Sequence, residues 1–206
     1  SSITVLEGEQ VEVTIPVLKL KEVPLKFEFS NVPAGYDPAE LNASISPATI
    51  RIAGAADTVD GIESVNAGFI NLARVQLGKA ETLKIQLSEG LVNVDDVQEA
   101  TVTFDTSGYG EPRAITVSDI RVVNAPSGVD VKVITESINN VTLVGEAEEL
   151  AAISPSDVIA QVDASAQNIT VKGSGQQQFS AQIIVTGTKT VFATGAYSVL
   201  CDITVK

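Results

Sequence analysis

Twenty-six acidic side chains against thirteen basic ones, no histidine and a single cysteine limit the chemistry open to this chain of 206 residues. Asp57, Asp60 and Glu63, and again Glu146, Glu148 and Glu149, are the two groupings that invite a ligand or an acid–base reading. A hard-cation site needs six to eight oxygens converging from a loop. Carboxylates strung along a short helix instead make a solvated face that suits the helix dipole. Asp95-Asp96 and the stretch 105–111 do not match an EF-hand loop. Paired carboxylates would also serve glycoside hydrolysis, yet the chain has no Trp and three Tyr with which to stack a sugar. Without histidine there is no Ser-His-Asp or Cys-His catalysis, no imidazole metal ligand and no imidazole pH switch. The lone Cys201 rules out an internal disulfide and a cysteine zinc site. It shares an alternating face with Val199, Ile203 and Val205, which predicts a buried, inert thiol. We therefore expect no catalytic residue, no metal and no cofactor.

The acidic groups lie in two copies of one pattern. Residues 50–62 (IRIAGAADTVDGI) and 141–153 (VTLVGEAEELAAI) both read aliphatic, polar, aliphatic, x, Gly, x, Ala, acidic, x, aliphatic, x, x, Ile. Each predicts a short strand that turns at a glycine into a short helix, with Gly54 and Gly145 at the corners. The corner needs a positive φ or a close backbone approach. On that reading Gly54→Val costs about 1–3 kcal/mol if φ is positive and leaves the other half nearly intact. The helices turn Ala56, Val59, Ile62 and Ala147, Leu150, Ile153 inward at three-residue spacing, with Asp57 and Glu148 in the first turn. Neither glycine sits in a Gly-rich loop with a lysine, so phosphate binding is not indicated.

A second landmark precedes each corner. Asn31-Val32-Pro33-Ala34-Gly35-Tyr36-Asp37 and Asn124-Ala125-Pro126-Ser127-Gly128-Val129-Asp130 share Asn-x-Pro-x-Gly-x-Asp, a turn whose Pro33/Gly35 and Pro126/Gly128 supply the restricted and permissive backbone angles. The turns are 93 residues apart (126 − 33) and the corners 91 (145 − 54), which argues for tandem duplication. Strands are expected at Val11–Val17, with Pro16 marking an edge, at Leu25–Phe29, Phe69–Leu72, Leu83–Leu87 and Ala100–Phe104. In the second copy they are expected around Val162, at Phe179–Val185 and at Val199–Val205. The aliphatic-poor stretch 105–113 divides the chain into 1–105 and 106–206. Val13-Thr14-Ile15, Val102-Thr103-Phe104 and Ile203-Thr204-Val205 recur as closing strands, and the wider spacing of the last pair implies extra loop length, part of it near 173–178. The first closing strand has no turn or corner ahead of it, so we expect the chain to start inside a longer array. A net charge of −13 repels phosphate backbones, so no nucleic-acid partner is expected. No run approaches the roughly 20 apolar residues of a membrane span. Three Asn-x-Ser/Thr triplets, at Asn42, Asn140 and Asn168, are common accidents of Thr-rich strands.

These residues resemble the YbbR-like repeat family, which shows a Pro-Gly turn, Ser-Pro, an alternating strand, a Gly followed by a short acidic helix, and a further strand. The first copy supplies Pro33, Gly35, Ser46, Pro47, Ile50, Ile52, Gly54, Val59, Ile62 and Ile70-Asn71-Leu72. The second supplies Pro126, Gly128, Val141, Leu143, Gly145, Leu150, Ile153 and Val162-Asp163, but its Ser154-Pro155 follows the helix instead of preceding the strand. The resemblance implies an all-β fold, mainly β with one or two short helices per repeat, in two tandem domains. It also implies an array held outside the bacterial cytoplasmic membrane by an N-terminal helix missing from this chain. Some family members regulate a membrane diadenylate cyclase that makes cyclic di-AMP. The expected role is non-catalytic protein contact, with such a cyclase as the implied partner. A carbohydrate- or wall-binding module and a purely structural envelope spacer are the alternatives.

Overall fold

In the computed structural model, residues 17–167 and 174–205 are described. The expected strand around Val11–Ile15, Pro16 and the Asn168 triplet lie outside them. The described chain is mainly β, with two short α-helices and three 3-10 turns, as expected.

The first half runs β1 (Lys19–Ser30), β2 (Ala43–Ser46), β3 (Thr49–Gly54), α1 (Ala56–Asp60), β4 (Val65–Asn71), β5 (Glu81–Lys84), β6 (Val92–Asn93) and β7 (Glu99–Phe104). Alternation builds β1: Val23 and Leu25 face inward while Lys19, Glu22 and Lys26 face water. Its N-terminal part pairs antiparallel with β3 and its C-terminal part parallel with β4. The result is a sheet of order β4-β1-β3-β6 beside a second of order β2-β7-β5.

The second half repeats this plan with β8 (Arg113–Val117), β9 (Asp119–Val123), β10 (Val129–Val133), β11 (Ile138–Val144), α2 (Ala147–Ala152), β12 (Val158–Asp163), β13 (Gly175–Val185), β14 (Phe192–Thr194) and β15 (Tyr197–Val205). Here β1 is replaced by two pieces: β8 pairs antiparallel with β11, and β9 pairs parallel with β12. Further correspondences hold strand by strand. β10 lies on β15 as β2 lies on β7, and β14 lies on β11 as β6 lies on β3.

Two expected elements differ. Of Leu83, Ile85 and Leu87, only Leu83 is in β5; the other two continue as non-strand chain that still packs on the first-half core. The strand at Phe69 begins earlier, at Val65. The extra length of the second half lies mostly in β13, whose Phe179–Val185 segment carries the inward Phe179, Ala181, Ile183 and Val185 and reaches β12. Among the described residues the four-residue β5 makes no such pairing with β4, and there only the second half closes into a five-stranded sheet, β10-β15-β13-β12-β9.

Candidate functional site: the corners and the junction between the halves

Both glycine corners answer the same steric demand. A Cβ on Gly54 would lie 2.9 Å from the Gly90 carbonyl oxygen and 3.0 Å from Leu91 Cδ2. A Cβ on Gly145 would lie 2.4 Å from the Thr190 oxygen and 2.7 Å from Val191 Cα. Each corner is thus pressed against the residues that lead into β6 or β14. Of the two expected reasons, positive φ holds at Gly145 (φ 156°) and not at Gly54, and close approach holds at both. The turns match as closely. Gly35 (φ 86°) and Gly128 (φ 78°) take the left-handed conformation, and so do Asn31 (φ 50°) and Asn124 (φ 54°). Asparagine tolerates that region because its short polar side chain bonds locally. Tyr36 N–H donates to Pro33 O at 3.2 Å and Val129 N–H to Pro126 O at 3.1 Å.

The helices bury Val59, Leu150 and Ile153, but Ala56 and Ala147 are exposed, because one short turn offers too narrow an apolar stripe to cover three positions. A cation that spacing alone does not reveal caps each helix at its C-terminal end. Lys21 Nζ donates to Ile62 O at 2.6 Å, and Arg113 Nη1 donates to Leu150 O at 3.1 Å and Ile153 O at 2.8 Å. Lys21 faces Ile52 across the sheet and Arg113 faces Leu143, so the two cations hold equivalent places.

The acidic groupings disperse. Asp60 pairs with Lys19 at the surface, and Asp57 and Glu63 are exposed. Glu146 and Glu148 face water, whereas Glu149 accepts hydrogen bonds from the Thr188 and Thr190 hydroxyls, which hold its carboxyl below the usual range. Among the described residues no group of three or more His, Cys, Asp or Glu side chains could hold a metal ion. Cys201 is fully buried and burial pushes its thiol up, although Val205, on the same face, is 44% exposed.

The halves meet over an apolar junction. Val144 and Phe192 of the second half join a core with Tyr36, Leu41, Leu72 and Val75 of the first. The Tyr36 and Phe192 rings are 4.4 Å apart. Gly195 N–H donates to Ala73 O at 2.6 Å. Gly35 lies against Val185 O, so the first-half turn is itself part of the contact. The linker closes one side, with Gly110 N–H donating to Gly145 O at 2.9 Å and Ala147 N–H to Gly108 O at 2.8 Å. Burial pushes the pKa of Tyr36 far above its ordinary value and raises that of Tyr109, so both phenols stay neutral. The two hydroxyls face each other and bond to no other group among the described residues, which favours tyrosines that pack over tyrosines that titrate.

Beside this junction lies a cleft of about 630 Å³ between Asn71, Arg74 and Pro33 of the first half and Gln161, Asp163 and Tyr197 of the second. Much of its polar wall is already engaged. Tyr197 Oη donates to Thr194 O at 2.6 Å and accepts from Thr142 N–H at 2.9 Å. Asp163 accepts from Ser165 and Asn124, which hold its carboxyl low.

No curated protein matches the chain. Similar solved structures include that of SuR18C from Streptococcus thermophilus, at 20% identity over 44% of this chain and 89% of that one, with a TM-score of 0.34. Another is a YbbR-like protein from Streptococcus pneumoniae, at 17% identity over 97% of this chain and 99% of that one, with a TM-score of 0.34. The family of YbbR-like proteins matches residues 23–117, a span that contains the Pro33-Gly35 turn, the Gly54 corner and α1 and runs past the 105/106 division through β8. YbbR-like repeats are not known as enzymes. Over residues 23–117 this chain is similar to the YbbR-like proteins.

Proposed function

We propose that this chain is a non-catalytic protein-contact module that works outside the cytoplasmic membrane and regulates a membrane diadenylate cyclase. The observation that carries this reading is the YbbR-like match over residues 23–117. Two features support contact over catalysis: the junction between the halves is an apolar core, and Glu146 and Glu148 are exposed to solvent at the start of α2. A basic partner surface would meet these carboxylates with an association rate that falls as salt rises.

The test is cyclic di-AMP formation by cyclase-containing membranes with and without the purified chain. We expect a stoichiometric complex, a changed rate, and loss of both with Glu146→Lys and Glu148→Lys together. A cyclase that neither binds the chain nor changes rate defeats the reading. A second reading rests on the cleft, whose Asn71, Arg74, Gln161 and Tyr197 line a space large enough for a sugar unit. Saturable retention on peptidoglycan or common polysaccharides, abolished by Arg74→Ala, would favour it, and no retention would retire it.

A further inference from the structure

The junction between the halves has an uncovered counterpart. In the second half, Val144 pairs with Phe192 across β11 and β14. These side chains are 6% and 1% exposed because the turn end of the first half covers them. In the first half the same register position belongs to Ala53, paired with Val92 across β3 and β6, and Leu20 of β1 faces Ala53 from the other side. Nothing described covers this face. Leu20 is 55% exposed and Val92 52%, and Leu18 and Val94 are also exposed large apolar residues. The equivalence does not depend on numbering, because each pair directly follows the segment that presses on its glycine corner, Gly54 or Gly145.

The matching donor end is also open. The first-half turn, with Val32 and Tyr36, is what lies on Phe192. Its second-half equivalent, Asn124–Asp130, has the same left-handed Asn and Gly and the same Pro126 O to Val129 N–H hydrogen bond, and it is mostly exposed. We propose that the Leu18/Leu20/Val92/Val94 face of one copy of this chain receives the Asn124–Asp130 turn end of a second copy, repeating the internal junction between molecules. Such a contact uses two different surfaces. It is therefore heterologous, runs head to tail, and grows by addition unless the rotation closes a ring. This inference stands on the junction and is independent of any cyclase.

Sedimentation equilibrium from about 10 µM to about 1 mM reads it. The weight-average mass should rise above the 21.5 kDa of one chain with concentration. Leu20→Glu with Val92→Glu should weaken association at least tenfold, and so should Ala125→Glu at the other end. Val129→Asp, at the position equivalent to Tyr36, is a second donor-end variant, and melting curves confirm that each variant is folded. Mixing the face variant with the turn variant supplies one intact face and one intact turn end, so the mixture should form dimers that grow no further. A constant single-chain mass across the range overturns the proposal. So does association that the turn variants leave unchanged, which would mark a two-fold contact of the apolar face with itself.

Discussion

Glycine 145 and glycine 54 hold the same place in two copies of one corner, yet they differ in what they press against. A methyl group at 145 would meet only backbone at its two nearest contacts, the Thr190 oxygen and Val191 Cα, so relief requires β14 itself to move. At 54 one of the two nearest atoms is the end of the Leu91 side chain, which can swing. We expect Gly145→Ala to destabilise by about 2–4 kcal/mol and Gly54→Ala by about 1 kcal/mol, measured as denaturation midpoints at constant m-value. Equal losses would show that the corners are not set by these contacts. A second residue-scale expectation concerns Asp157, which accepts from both the N–H and the hydroxyl of Ser154. Those bonds hold its carboxyl below the usual range. A depressed folded value means that the stabilisation is complete above the unfolded carboxylate pKa and is lost as pH falls through the folded one. The stability gap between the parent and Asp157→Asn should therefore narrow on acidification from about pH 5 to about pH 2, and a gap that stays constant would count against it.

At the scale of elements, α1 and α2 are too short to be stable alone, and the sheets must hold them. Lys21 on β1 and Arg113 on β8 do so by donating to carbonyls at or just beyond the helix ends, where a cation also meets the negative end of the dipole. Arg113→Met keeps most of the stem and removes the donors, leaving the Leu150 and Ile153 carbonyls without them; we expect a loss of about 1–3 kcal/mol. Faster amide exchange in residues 147–153 with β12 and β13 unchanged would locate the effect in the helix, and an unchanged melting temperature would refute it. Periodicity located β7, β13, β15 and the Leu25–Phe29 part of β1 well, but not the Lys19–Pro24 part that pairs with β3, because alternation over five or more residues reflects a face that must be buried. It did not reveal β6 or β14, which are two and three residues long, since so short a run carries no period. Ile85 and Leu87 alternate with polar neighbours for the same burial reason, but beyond Lys84 the ladder to β7 gives way after the Ile85 N–H to Gln98 O hydrogen bond.

The whole molecule is joined by the Tyr36–Phe192 contact and the core around it, which draws residues from both sides of the 105/106 division. That changes the expectation that damage at Gly54 leaves the second half nearly intact. With an apolar junction of this kind, the two halves should melt in one calorimetric transition. Phe192→Ala removes a ring that is 1% exposed. It should cost about 3–5 kcal/mol and separate the melting of the halves into two steps. Two resolved transitions in the parent protein would refute the coupling.

Taken alone, the sequence established the repeated turn, the repeated corner, the all-β class and the family resemblance, because each is a local steric demand met by the same residue types at nearly constant spacing. Gly35 and Gly128 must accept left-handed backbone, and Gly54 and Gly145 must admit a neighbouring carbonyl. Which surfaces are covered was decided only in three dimensions. Phe192 is buried by a tyrosine more than 150 residues earlier in the chain, and its counterpart Val92 stays exposed. No spacing rule distinguishes the two, since burial at a junction depends on what the other half presents.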